Sequence, residues 1–172
     1  MARFSSTTRS GRTALGGVLA AGSLVFLWLA SVTPTGRLGL TAVAGLFPMA
    51  AVLAAGRNAG YLCWAASGLL GFFLLPDKGV SLLYLAFLGL YPIVKSRIES
   101  IRRLPVEWVL KLVFFDLALT LFWFFLRGMF LPDPPVWLAE NVPVLYLLGN
   151  LVFVLYDVGL SRLIAMLRAR FR

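Results

Sequence analysis

Long apolar runs alternate with short polar connections along most of this chain, and the charged residues concentrate in the connections and near both ends. Each run approaches the roughly 20 residues that an α-helix needs to cross the hydrocarbon core of a bilayer. Proline, glycine and asparagine recur in the connections, as expected where helices end and turns begin. The pattern therefore predicts six transmembrane helices, over residues 13–32, 38–55, 60–75, 80–94, 108–130 and 142–160.

The stretch from residue 60 to residue 103 indicates how the predicted helices are oriented in the membrane. Two apolar runs flank a polar turn at residues 76–79, and the second run ends in a basic cluster at residues 95–103. We expect a hairpin of two membrane helices with its positive charge at one end. Because lysine and arginine are enriched in cytoplasmic connections, the basic cluster is predicted to be cytoplasmic and the turn external.

Composition supports lipid as the solvent of this chain. Its 172 residues are 60% hydrophobic and only 13% charged, whereas a soluble domain has about 25% charged residues. The predicted fold is therefore all-α, an integral membrane bundle of six helices over residues 13–161. Basic cytoplasmic tails are predicted at residues 1–12 and 162–172, and the length leaves no room for a separate soluble domain.

The distribution of basic residues favours an even number of spans with both termini cytoplasmic. That topology places thirteen of the sixteen lysines and arginines inside and leaves Arg37, Lys78 and Arg127 outside. It predicts a multi-pass protein of the bacterial inner (plasma) membrane, and it accounts for the net charge of +9 without nucleic acid. A signal peptide cleaved near residues 30–32 is a weaker interpretation, because the first run is long enough to span.

Few residues suggest catalysis. Histidine is absent, which excludes histidine-based metal sites and nucleophile–histidine pairs. Asp116 and Asp157 lie inside predicted spans, where ionisable residues are costly. Two hypotheses follow: a catalytic or metal-binding carboxylate pair, or separate pairing of each aspartate with Lys95, Lys111 or Arg162. We favour the second, and with it a protein that is not an enzyme and has no metal or cofactor.

Small residues recur at four-residue spacing in the first run, where they permit close approach of another helix. Gly17 and Ala21 are the predicted partner-helix interface. Packing inside the bundle and packing against a partner subunit both remain open for this face.

The outward half of the bundle is rich in aromatic residues and carries few charges. Apolar walls with a few polar groups are typical of a small-molecule site, although an aromatic belt at the membrane surface gives the same pattern. The candidate substrate-binding residues are Arg37, Tyr84, Trp123, Arg127, Glu140 and Asn141.

Residues 13–99 resemble the substrate-binding S components of energy-coupling factor (ECF) transporters. The resemblance lies in Gly17-x-x-x-Ala21, where the family typically has Ala-x-x-x-Ala, and in three further segments. These segments are the Gly-Leu-Phe-Pro-Met motif at 45–49, the Gly-x-x-x-Gly turn at 56–60 and the small-residue run at 66–71.

The resemblance implies a subunit that binds a vitamin-like small molecule from outside. It would dock in the bilayer on a transmembrane coupling subunit, which ATPase subunits drive. Two alternatives remain. One is a cell-envelope assembly or scaffold protein that works through helix contacts, and the other is a membrane enzyme that uses Asp116 and Asp157.

Overall fold

The computed structural model describes residues 9–126 and 141–171, and these residues form helices joined by short connections, without a strand. The predicted all-α class is therefore confirmed for the described part of the chain. The chain divides into two compact units, Met1–Ser96 and Arg97–Arg172. The first unit contains α1 (Arg9–Val32), α2 (Arg37–Ala44), α3 (Leu46–Ala55), α4 (Arg57–Leu74), α5 (Lys78–Leu83), a π-turn (Tyr84–Leu88) and all but the last two residues of α6 (Tyr91–Ile98). The second contains a 3₁₀ turn (Glu99–Ile101), α7 (Leu104–Leu121), a π-turn (Phe122–Leu126) and α8 (Val142–Phe171).

Five helical stretches in the described residues are long and apolar enough to cross a membrane. Their number is one below the predicted six, because α4 is not among them. That helix is 18 residues long and begins with the polar residues Arg57 and Asn58. The set is compatible with a membrane protein. It comprises Thr13–Val32, Arg37–Ala55, Lys78–Ile101, Leu104–Phe125 and Val142–Met166.

The second predicted span is one stretch in sequence but two helices in the structure. α2 ends at Ala44 and α3 begins at Leu46, so the break falls at Gly45. Pro48 therefore lies in the first turn of α3, where a missing backbone N–H breaks no intrahelical hydrogen bond. A Cβ on Gly45 would stand 2.1 Å from the backbone oxygen of Leu88. The glycine thus permits the break to pack against the first unit's π-turn.

The predicted hairpin turn is present between α4 and α5. Asp77 is the N-cap of α5, and its side chain accepts a hydrogen bond from the Gly79 backbone N–H at 2.9 Å. Such a cap satisfies a donor that the helix start leaves free. Leu75 and Val80, which flank the turn, belong to a buried apolar cluster of the first unit: Leu27, Ala30, Ala44, Leu75, Val80 and Tyr84.

In the second unit α7 and α8 run antiparallel, and contacts between them recur at intervals along both helices. Phe115 stacks on Phe153 with ring centroids 4.6 Å apart, and Thr120 meets Tyr146. The opposite faces of both helices expose large apolar side chains, such as Leu117 and Leu155, each 67% exposed. The apolar side chains thus face outward and the polar contacts lie between the helices. In a surface helix of a water-soluble protein, the apolar side faces inward and the polar side faces the solvent. α8 also continues past Arg162 through most of the predicted C-terminal tail.

Gly45→Ala should destabilise the protein, because the added Cβ meets a backbone atom that cannot rotate away. Overpacking of this kind costs about 1–3 kcal/mol. Gly39→Ala is the matched control, since no atom of the described residues lies within 4 Å of its Cβ position. Thermal unfolding in detergent should show a lower Tm for the first variant only. Equal Tm values would contradict the close approach at Gly45.

Candidate functional site

The predicted substrate-binding residues fall in both units. Arg37 and Tyr84 belong to the first unit, and Trp123 and Asn141 belong to the second. Trp123 is 4% exposed within the π-turn that follows α7. Asn141 is exposed, and its backbone oxygen accepts from the N–H groups of residues 144 and 145 at the start of α8. The remaining two, Arg127 and Glu140, lie outside the described residues, and the assignment of all six to a ligand stays a prediction.

Tyr84 lies at the centre of a hydrogen-bonded cluster rather than on a surface. Its side chain is 0% exposed. The Ser23 hydroxyl donates to the Tyr84 hydroxyl at 2.9 Å, and the Ser67 hydroxyl lies 2.8 Å from the same oxygen. The cluster joins α1, α4 and the π-turn, so a ligand reaches Tyr84 only if these elements separate.

Arg37 participates in a cluster at the end of the first unit where α1 and α4 finish. Its guanidinium lies 3.0 Å from the Asp77 carboxylate, and the Asp77 N–H donates to the Ser31 hydroxyl at 3.0 Å. Asp77 therefore connects the α1–α2 and α4–α5 turns. Because both side chains of the ion pair are partly exposed, the contact is expected to contribute at most about 1 kcal/mol.

Gly17 and Ala21, the predicted partner-helix interface, are exposed on α1. No described atom lies within 4 Å of a Cβ placed on Gly17. Packing within the described part of the chain therefore does not explain this face. A cavity of about 570 Å³ adjoins it between α1 and α4, lined by Thr13, Gly16, Gly17, Ala20, Asn58, Ala59, Leu62, Cys63 and Ala66.

A buried charge cluster links the start of the second unit to its two long helices. The Lys111 ammonium lies 3.0 Å from the Glu99 carboxylate and 3.1 Å from the Asp157 carboxylate. The side chains of Lys111 and Asp157 are only 7% and 4% exposed. The ammonium also stands 5.5 Å from the centre of the Trp108 ring. The predicted pairing of Asp157 with a basic neighbour is thus confirmed, with Lys111 as the partner.

The predicted pairing of Asp116 with a basic neighbour is wrong for the described residues. The Asn150 side-chain amide donates to the Asp116 carboxylate at 2.9 Å. Asn150 and Asp157 are seven residues apart on α8, which corresponds to about 10 Å along a helix. The two aspartates are therefore held at different levels of the α7–α8 pair by different residues, an arrangement that does not favour a shared carboxylate dyad.

Sequence reasoning missed the polar partners that carry no charge. Ser23, Thr120 and Asn150 each interrupt an apolar run. Their hydrogen bonds connect helices that are distant in sequence. The signal that was available is the placement of a polar side chain within a predicted span, since such residues commonly join membrane helices.

Comparisons with family models, with curated proteins and with solved structures gave no match. The function is therefore argued from this chain's own residues and geometry.

Lys111→Met should destabilise the second unit strongly, because it removes the ammonium group that lies 3.1 Å from the buried Asp157 carboxylate. Breaking a buried pair typically costs about 3–5 kcal/mol, whereas replacing both members with apolar residues is often close to neutral. The double variant Lys111→Met/Asp157→Leu should therefore have a higher Tm in detergent than the single variant.

Arg57→Met is the control for loss of a positive charge, since Arg57 is exposed at the start of α4. Its effect should stay within about 0.5 kcal/mol. If the single and double variants at residue 111 unfold at the same temperature, the Lys111–Asp157 pair does not have the assigned role.

Proposed function

We propose that this protein is the membrane-embedded, substrate-binding subunit of a small-molecule uptake transporter of the ECF type. In this proposal it crosses the bacterial inner membrane six times with both termini in the cytoplasm. The exposed Gly17 and Ala21 face of α1 docks on a transmembrane coupling subunit. The single observation that carries the proposal is this small-residue face and the adjoining cavity of about 570 Å³.

The chemistry of the face suits a helix of another membrane protein. Small side chains let two helix backbones approach closely. Inside a bilayer the hydrophobic effect does not favour helix association, because lipid tails are as apolar as the side chains, so close packing drives it instead. Gly16, Gly17 and Ala20 line the cavity on α1, and Ala59 and Ala66 line it on α4. A partner helix placed here would contact both α1 and α4.

The topology is supported by the charges and by one contact. Thirteen of the sixteen basic residues fall on the side assigned to the cytoplasm. Arg37 and Asp77, which belong to the two turns of the first unit assigned to the outside, form an ion pair at 3.0 Å. The two turns therefore lie at the same end of the unit, as the proposed topology requires.

The second candidate is a scaffold protein of cell-envelope assembly, and the burial of Tyr84 favours it. A scaffold needs a filled bundle with an open docking face, and Tyr84 is 0% exposed with both neighbouring serines bound to its hydroxyl. Both candidates require the docking face, but only the transporter subunit binds a small molecule. The enzyme alternative receives no such support, because Asp116 and Asp157 have separate partners.

Gly17→Leu should prevent docking, because the larger side chain fills the face that the partner helix approaches. Gly39→Leu is the matched control, since Gly39 is also an exposed helical glycine, and no described atom lies within 4 Å of its Cβ position. Native mass spectrometry of the tagged protein, purified from membranes of cells that express the complete system, measures the outcome.

The wild type and Gly39→Leu should carry a coupling subunit, ATPase subunits and a small molecule. Gly17→Leu should retain the small molecule and lose the other subunits. A Gly17-dependent complex without any small molecule would favour the scaffold, and absence of both would contradict the docking proposal.

A further inference from the structure

Asp116 is an ionisable side chain inside one of the long apolar stretches of the second unit. It stands near the middle of Leu104–Phe125, one of the stretches long enough to cross a membrane. Its one described side-chain contact is the amide of Asn150. No ion pair joins Asp116 to any residue that the structure describes. A carboxylate at such a depth is expensive unless a cation or several donors compensate its charge.

Lys111 does not provide that compensation. Its ammonium is held between Glu99 and Asp157, at 3.0 and 3.1 Å. Lys111 and Asp116 are five positions apart on α7, which is about 7.5 Å along a helix. The stacked rings of Phe115 and Phe153 lie between the level of this charge cluster and the level of Asn150. Lys111 is therefore not positioned to pair with the Asp116 carboxylate.

The orientation of the Asn150 amide leaves a second acceptor open. Its nitrogen donates to the Asp116 carboxylate at 2.9 Å and to the Tyr146 backbone oxygen at 2.9 Å. Two acceptors at this distance fix the nitrogen there. The Asn150 Oδ1 is consequently buried and has no hydrogen-bond partner among the described residues. A buried acceptor without a partner is costly, so we expect this oxygen to bind a group that the structure does not contain.

Two hydroxyl groups hold the surroundings in place. The Thr120 hydroxyl donates to the Asp116 backbone oxygen at 2.6 Å and lies 2.5 Å from the Tyr146 hydroxyl. α7 then changes into the π-turn Phe122–Leu126 within one helical turn of Thr120. π-turns inside helices occur frequently at functional sites. The result is a local set of oxygen atoms on two facing helices with one formal negative charge.

We propose that Asp116 and Asn150 form a binding site for a small monovalent cation, Na⁺, with the Asp116 carboxylate and the Asn150 Oδ1 as its side-chain ligands. Hard cations prefer oxygen ligands, and a single carboxylate balances a single positive charge. Thr120 and Tyr146 are positioning residues that fix the two helices. The proposal requires that α7 and α8 lie within a membrane. It does not depend on the ECF assignment, because the proposed site is formed by residues of this chain alone.

The test is cation binding by the complete purified protein in detergent, without a ligand or partner. Thermal unfolding is compared in NaCl and in choline chloride at equal ionic strength, and equilibrium binding of ²²Na⁺ gives the stoichiometry. The wild type should gain several degrees in Tm with increasing Na⁺, following a saturable curve, and should bind one Na⁺ per chain. Asp116→Asn should lose both effects.

Glu107→Gln is the matched control, because it removes a carboxylate from the first turn of the same helix. It should keep the Na⁺ response of the wild type. Asn150→Ala provides a second variant if Asp116→Asn does not fold, and it too should lose the response.

A wild type with the same Tm in both salts and without ²²Na⁺ binding overturns the site, whatever the variants do. Na⁺ binding that persists in Asp116→Asn or Asn150→Ala overturns the assignment of these residues. A Tm that changes with pH but not with Na⁺ also contradicts the proposal.

Discussion

The placement of apolar side chains outside and polar side chains inside the α7–α8 pair is the constraint on which the second unit depends. Large apolar residues cover the outward faces, so the inward polar groups depend on partners within the protein, and several of these lie on the facing helix. Lys111 meets Asp157, Asn150 meets Asp116, and Thr120 meets Tyr146. These pairs recur along both helices and fix one antiparallel register, which apolar packing alone would specify less sharply.

Sequence patterns predicted the helices well because run length and turn residues are local properties. The turn at residues 76–79 and the break after the first helix follow from such signals. The break at Gly45 was not predicted, because it depends on the approach of the Leu88 backbone. The π-turns at Tyr84–Leu88 and Phe122–Leu126 were not predicted either, since their register is set by contacts between helices.

The polar contacts could be predicted from the sequence only where both partners are charged residues. Asp157 and Lys111 were both visible as charged residues in apolar surroundings, and their pairing was expected. The partner of Asp116 is an uncharged amide 34 residues away, and only the register of α7 against α8 selects it. Tyr84 was expected at a ligand, but Ser23 and Ser67 enclose its hydroxyl. Aromatic composition indicates a membrane-facing or pocket position equally well and does not reveal such an enclosure.

The central claim is that lipid contacts the outward faces of α7 and α8. Collision rates of single spin labels with oxygen and with a water-soluble nickel chelate test it directly, in bilayers and with the only cysteine replaced by Cys63→Ala. Labels at Leu117 and Leu155, both strongly exposed, should collide with oxygen and be shielded from nickel. A label at Arg57, at the start of α4, should show the reverse. Nickel access at Leu117 and Leu155 equal to that at Arg57 would contradict the membrane placement.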